Sequence, residues 1–290
     1  MTQASDLTTA DESYDKFWAL RNLPPFPAIA TKLLQLLSHD EAETSAVVSL
    51  IRADAAFSSE LLRVANSQVY GLRSQVGSIH HAVVILGFNA VKTLALTIAM
   101  KNFLRAAMRI DLLRRVWRHS LACALIAEEL SAACSKLGER GHDDRIYTAG
   151  LLHDIGRLGL LVRYPPEYAN LLAVVVENPF DILDTERQLF DLDHCQAGGW
   201  LAEQWKFPTE IQDVAAHHHD PPRPGQSDVA DIVRASVLLA DSLGFDVVSP
   251  RHTYTMDEIR ALLPHPAQYR FNADPTDLKA QITEKRDAFD

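Results

Sequence analysis

Gly150-Leu151-Leu152-His153-Asp154-Ile155-Gly156-Arg157 lies within an apolar segment running from Ile146 to Val162. Apolar residues fall on most sides of its helical period, so the segment reads as one central helix with neighbours all round. A histidine and an ionised aspartate are costly there, because a buried charge without a partner either loses several kcal/mol or gives up its ionisation. Adjacent helical residues point about 100° apart, so His153 and Asp154 together can grip one ion from the edge of the helix. His153 and Arg157 stand four apart and share a face, which sets a cation beside whatever His153 binds. For the dipeptide alone, a satisfied core histidine beside a salt-bridged aspartate is the plainer reading.

Outward from this helix, each recognisable element is helical. Upstream, Leu23-Pro24-Pro25-Phe26-Pro27 is a stiff lead-in, because three prolines fix φ and forbid helix. Ile29, Leu33, Leu36 and Leu37 then recur at helical spacing. A helix starts at Thr44 or Ser45, another is capped by Asp54 and reaches Asn66, and a third is capped by Ser78 and ends near Gly87. Val91 to Leu104 and Leu112 to Leu137 follow, the second holding His119, and then a polar loop from Gly138 to Asp144. Beyond Tyr164-Pro165-Pro166, helices are expected near 167–177, 181–190, 193–205, 209–216 and 228–243. Thr255 with Glu258 forms a capping box, and a charged helix closes the chain near 276–289. The expectation is an all-α protein with a boundary near residues 105–111. It divides into an acidic tail (1–18), an N-terminal helical bundle (19–108), a second helical bundle (109–246) and a C-terminal helical extension (247–290).

Composition narrows the class. The chain has 290 residues, 47% of them hydrophobic and 23% charged, which suits a soluble globular protein of one or two domains. Only 12 glycines occur, too few for a loop-rich β-sandwich or barrel. Lys plus Arg is 28 against 38 for Asp plus Glu, a net charge of -10, which on average repels phosphate backbones and anionic membranes. Nucleic acid and membrane partners are therefore disfavoured. The basic stretch Lys101, Arg105, Arg109, Arg114, Arg115 and Arg118 reads first as a solvated helix face, with a regulatory-nucleotide or RNA contact as the alternative. Cys123, Cys134 and Cys195 show no CxxC spacing and fit buried thiols in a reducing cytoplasm. MTQASDLTTADESYD has no apolar core for a signal peptide, and Asn89 and Lys92 interrupt the longest apolar stretch, Ala82 to Met100. The expected location is cytoplasmic.

Further polar residues occupy expensive positions. His119 sits in mid-helix, and Asp241 lies in the apolar run Ala235 to Leu243. His194 follows Asp193 at a helix start, four residues before Gly198, where a neighbouring helix has room to approach. His217, His218 and His219 end a helix before Asp220-Pro221-Pro222. Each alone reads as structural. As an ordered set on separate helices they are what an interior metal site in a helical bundle requires, and imidazole with carboxylate suits Mn, Fe, Zn or Mg.

Residues 119–241 resemble the HD superfamily of metal-dependent phosphohydrolases, whose pattern is H…HD…D. Leu23-Pro24-Pro25-Phe26-Pro27, Ile51-Arg52-Ala53-Asp54-Ala55-Ala56-Phe57, Leu61 to Ser67, Tyr70-Gly71 and Ala82 to Gly87 narrow the likeness to an HDOD domain over roughly residues 20–245. The resemblance implies an N-terminal helical bundle packed on an HD-like bundle. It also implies a bacterial signal-transduction role exercised through a protein partner, in a family whose members mostly have no established catalysis. By position His119, His153, Asp154 and Asp241 match the mononuclear ligands. His194, His218 and His219 match the extra ligands of the binuclear HD-GYP relatives, the pair being set by Asp220 after it and His217 being spare. The GYP triplet is absent, since the chain reads Asp220-Pro221-Pro222-Arg223-Pro224-Gly225, and this counts against a typical cyclic di-GMP phosphodiesterase. Arg157 replaces the lysine of HDxGK, and Arg115 stands where some relatives carry a glutamate for a third metal.

Two functions stay open. One is a regulatory module whose metal site is empty, structural or regulatory. The other is a metal-dependent phosphohydrolase acting on a nucleotide or phosphodiester. In the second, one or two divalent ions and no organic cofactor serve the reaction, Asp154 bridges the ions and is catalytic with Arg157, and Arg157 and Arg115 clamp phosphate. Asn66-Ser67 belongs to the resemblance, and its physical role reads as a cap or turn.

Overall fold

Side-chain caps set where the helices begin. Asp54, Ser78, Asp181, Asp193, Asp228, Thr255 and Asp274 each accept from a first-turn backbone N–H that has no partner within its helix. The computed structural model describes residues 17–23, 25–37, 44–104, 111–135, 144–177 and 181–289. The helices are α1 (Ala28–Leu37), α2 (Thr44–Arg52), α3 (Ala55–Ala65), α4 (Ile79–Leu86), α5 (Phe88–Leu104), α6 (Asp111–Cys134), α7 (Asp144–Leu152) and α8 (Ile155–Arg163). They continue as α9 (Pro165–Glu177), α10 (Ile182–Phe190), α11 (His194–Gln204), α12 (Thr209–His217), α13 (Val229–Ser242), α14 (Met256–Leu262), α15 (His265–Arg270) and α16 (Pro275–Asp287). There is no strand among the described residues, so the fold is all-α as expected, and none of their helices is long and apolar enough to cross a membrane. The acidic tail up to residue 16, the loop 138–143 and nearly all of the boundary near 105–111 lie outside the described residues.

The central segment differs from its sequence reading. Residues 146–162 are not one helix but two, α7 and α8, broken at His153-Asp154. His153 Nδ1 donates to the Gly150 carbonyl at 2.7 Å, and Asp154 sits at φ -99°, ψ 22°, a sparsely populated conformation. The backbone resumes with Arg157 N–H to the Asp154 carbonyl at 3.0 Å, a three-residue spacing that tightens the start of α8. The histidine side chain thus joins in ending its own helix. Helix α15 is a further element that the apolar period does not announce.

Helix α6 is the axis of the second bundle, packed against α7, α13, α15 and α16. Helix α8 lies on α11, and α11 on α12. The α8–α11 crossing is closer than side chains allow: a Cβ on Gly156 would come 1.8 Å from the His194 carbonyl oxygen. The approach foreseen at Gly198 is also there, since a Cβ on it would lie 3.1 Å from the Ala215 carbonyl oxygen.

The N-terminal helices share this core. Thr97 of α5 bonds Tyr147 of α7 at 2.9 Å, both buried. The Pro-rich lead-in delivers Phe26 against Trp205, Phe207 and Phe103, with ring centroids 5.1, 4.8 and 5.8 Å away. One continuous apolar cluster therefore runs from Leu20 to Phe289.

Asn66 gains a physical account. It caps α3, and its side chain pairs with the Val76 backbone in both directions, donating to the carbonyl at 2.9 Å and accepting from the N–H at 2.7 Å. The amide also donates to the Leu62 carbonyl at 2.8 Å, so one side chain ends the helix and closes the loop back to it. Asn66→Ala should lower unfolding free energy by about 1–3 kcal/mol in urea denaturation, because the Val76 backbone loses both partners. Leu152→Ala, a truncation at a fully buried position, should cost roughly 2–5 kcal/mol. An Asn66→Ala midpoint equal to wild type would remove the clamp.

Candidate metal centre

Three elements set the rings: α6 carries His119, the α7–α8 break carries His153 and Asp154, and the α10–α11 corner carries His194. Each of these imidazoles is anchored through Nδ1. His119 donates to the Phe245 carbonyl at 2.9 Å, His153 to that of Gly150 at 2.7 Å, and His194 to the Glu186 carboxylate at 2.6 Å. A carbonyl oxygen only accepts, so the proton of His119 and of His153 is assigned to Nδ1, and Nε2 keeps a lone pair. Metal-binding histidines are oriented in this way by a partner on the other nitrogen.

The Phe245 carbonyl is itself put in place by the end of α13. Gly244 turns at φ 83°, with its N–H on the Asp241 carbonyl at 3.0 Å and the Phe245 N–H on that of Ala240 at 2.9 Å. This paired closure needs a left-handed residue, which glycine supplies without strain.

The free nitrogens converge. His153 Nε2 and His218 Nε2 are buried without a hydrogen-bond partner. His194 Nε2 and His218 Nε2 lie 3.7 and 3.9 Å from Asp154 Oδ1. Donor atoms of His153, Asp154 and His218 all fall within 4.8 Å of one another, as do those of His194, Cys195, His218 and His219. Burial, reinforced by His153, pushes the His119 pKa down to about 4, and burial also lowers His153 and His218, so all three stay neutral. Burial opposes the charge of Asp154, yet Arg157 and His194 hold its carboxyl well below the usual range. Against burial and the Arg157 charge, Glu186 pulls the His194 pKa upward.

Asp241 lines the same cavity, of about 340 Å³, together with His119, His153, Asp154, His218 and His219. Its Oδ1 lies 3.6 Å from His119 Nδ1, the anchored nitrogen, and among the described residues it joins none of the tight donor groups. Burial, with Asp246 adding to it, pushes its pKa up to about 8. His217 turns outward to the Asp213 carbonyl at 3.0 Å.

The two arginines are placed differently. Arg157 lines the cavity with His153 and turns to Asp154, with Nε 2.9 Å from Oδ2. Its Nη1 reaches the Tyr168 hydroxyl at 3.4 Å and its Nη2 faces His194 Nε2 at 3.3 Å, so the buried guanidinium is committed to protein groups. Arg115, one turn before His119, is exposed and held by Asp246, with Nε on the carbonyl at 3.0 Å and Nη2 on the carboxylate at 3.2 Å. It does not line the metal cavity.

Glu186 was missed. Fully buried in α10, it accepts from the His194 backbone N–H at 2.8 Å, from the His194 ring, and from the Tyr168 hydroxyl at 2.5 Å. Its signal was present, because Ile182, Glu186 and Phe190 form an i, i+4, i+8 stripe with a carboxylate in an apolar row. Of the three thiols expected to be buried, Cys134 is only half-buried, and the other two lie beside the site: Cys123 Sγ is 3.5 Å from His119 Nε2 and Cys195 Sγ is 3.9 Å from His218 Nδ1. Orphaned imidazole nitrogens, a shared carboxylate and anchored rings together fit a divalent ion, for which nitrogen and oxygen donors suit Mn, Fe or Zn. When bound, such an ion neutralises charge at the carboxylates and activates water.

Comparison with known proteins agrees with this fold. Residues 23–221 match the HDOD domain family. An HDOD domain protein of unknown function from Geobacter sulfurreducens superposes with a TM-score of 0.71 at 23% identity, covering 96% of this chain and 98% of that one. A protein provisionally named a phosphohydrolase, from Shewanella amazonensis, gives 0.68 at 23% identity over 95% and 98% of the two chains. A protein provisionally named for signal transduction, from Marinobacter aquaeolei, gives 0.75 at 21% identity over 99% and 67%. These three likenesses establish the fold. An uncharacterized protein of Treponema pallidum is 24% identical over 203 residues, 69% of this chain, and the chain spans 38% of that relative's length.

Glu186→Gln tests the buried network. Removing one partner of a buried ionic set leaves the other uncompensated, at a cost of about 3–5 kcal/mol. Urea denaturation should report a loss of that size, and a variant as stable as wild type would mean that Glu186 carries no charge-pairing role.

Proposed function

The chain belongs to the HDOD family, and from that premise we propose that it is a regulatory signal-transduction module. It acts through a protein partner and holds a divalent ion in its HD-type site without turning over a phosphoester. One observation carries this reading: Arg157, the buried arginine lining the cavity, is already engaged with Asp154 at 2.9 Å. An arginine with a free fork would hold a phosphoester's oxygens two at a time. Arg157 has given its fork to Asp154, Tyr168 and His194. The ion in this reading is ligated by His119, His153, Asp154 and Asp241, with His194, His218 and His219 available to a second.

A phosphohydrolase acting on a nucleotide or phosphodiester is the second reading, favoured by the unpartnered Nε2 atoms of His153 and His218. Metal content of protein purified without a histidine tag or chelating resin separates the two, with a phosphodiester assay alongside. One or two Mn, Fe or Zn per chain are expected, reduced in Asp154→Ala and Asp241→Ala, with no hydrolysis of bis(p-nitrophenyl) phosphate or cyclic dinucleotides by the loaded protein. Hydrolysis that follows metal content and vanishes in Asp154→Ala would replace the regulatory reading by the second. No uptake of any of the three ions would remove the metal from both.

A further inference from the structure

Helix α6 carries another donor one turn beyond His119. Cys123 follows that histidine by four residues, so the two side chains leave the same face of the helix. Cys123 Sγ lies 3.5 Å from His119 Nε2. The thiol is fully buried, and the rings of His119 and His153 are buried beside it, edge to face with centroids 5.3 Å apart. Donor atoms of His119, Cys123 and His153 all fall within 4.8 Å of one another.

A buried cysteine beside a histidine reads first as a small apolar side chain whose S–H donates weakly to the ring. Two observations carry it further. His153 Nε2 is buried in the same group and has no hydrogen-bond partner, so an S–H contact at His119 leaves that lone pair unmet. Both rings are also anchored through Nδ1, on the Phe245 and Gly150 carbonyls, which leaves Nε2 of each as the nitrogen able to bind an ion. Asp241 stands at the anchored nitrogen of His119, with Oδ1 3.6 Å from Nδ1. The Nε2 side of that ring is met by sulfur.

We propose that Cys123 is a ligand of the ion, a thiolate donor alongside His119 and His153, and that it makes the site selective for zinc over manganese or magnesium. The inference rests on the metal-binding reading given above and adds sulfur to its imidazole and carboxylate donors. Thiolate sulfur suits borderline-soft zinc, whereas manganese and magnesium favour oxygen. On binding, the S–H bond breaks as the sulfur joins the ion, and the proton passes to solvent.

Titration of the metal-free, reduced full chain with cobalt(II), a spectroscopic stand-in for zinc, tests the ligand. Visible d–d bands report uptake by any donor set, and a charge-transfer band in the near ultraviolet reports thiolate. Wild type should show both, and zinc should displace the cobalt. Cys123→Ser should keep the visible bands and lose the near-ultraviolet band. Its preference for zinc over manganese, measured by competition, should fall by about tenfold or more. Cys195→Ser and Cys134→Ser should keep both bands, with circular dichroism and melting temperature checking that each variant is folded. Should Cys123→Ser not fold, a band that persists in the other two variants assigns the sulfur by elimination, since the chain has three cysteines. Visible bands without the near-ultraviolet band in wild type would overturn the thiolate ligand and leave the metal reading standing. A near-ultraviolet band that survives in folded Cys123→Ser, or is lost in Cys195→Ser instead, would overturn it too. No cobalt uptake at all would overturn the metal reading and this proposal with it.

Discussion

Asp154 keeps a negative charge where solvent does not reach it, and the second bundle is arranged around that fact. Arg157 supplies the direct counter-charge at 2.9 Å, and Tyr168 and Glu186 hold the far side of the guanidinium. Glu186 in turn accepts a hydrogen bond from His194 Nδ1, and the other nitrogen of that ring faces back to Asp154 at 3.7 Å. The circuit is closed: Arg157 and His194, whose pKa Glu186 pulls upward, stand against the two buried carboxylates. A divalent cation among the Nε2 atoms would meet the lone pairs of His153 and His218. Buried polar groups of this kind are stable only when the whole set is satisfied.

Geometry of this precision depends on where side chains are missing. The α8–α11 crossing needs Gly156 because the His194 carbonyl fills the space of its Cβ. That same contact fixes the start of α11, and with it the distance from His194 to Asp154. On the opposite wall Gly244 permits the turn that brings the Phe245 carbonyl to His119. The next carbonyl along, that of Asp246, receives Arg115. Two consecutive peptide groups therefore orient His119 on one side and hold Arg115 on the other.

Much of this was legible because it is governed by short-range rules. Caps such as Asp54, Ser78 and Thr255, the proline breaks, and the histidines lodged in apolar runs are properties of a few adjacent residues. What escaped reading depends on distant ones. The break at His153-Asp154 looked like the middle of a helix because Leu and Ile continue on both sides, and only the side-chain bond to Gly150 interrupts it. Glu186 looked like one more charge on a polar helix, although its stripe with Ile182 and Phe190 marked it as inward. Arg115 sits a turn from His119 and was assigned to phosphate, but Asp246, far along the chain, claims it. Asn66 was recognisable as a motif and opaque as physics, because its partner Val76 lies across a loop.

The identity of residue 157 bears directly on the proposed function. A lysine there would present one point charge on a flexible stem, free to leave Asp154 for an incoming phosphate. Arginine presents a rigid fork, and here its separate nitrogens face Asp154, Tyr168 and His194 at once. Releasing it would unpair Asp154 and expose Glu186 to an uncompensated charge, both inside a core that cannot solvate them. A substrate would have to supply that energy before any chemistry began. On the proposed reading, a core whose charges are already spent on one another is better suited to hold a surface in one shape for a partner than to turn over a phosphoester.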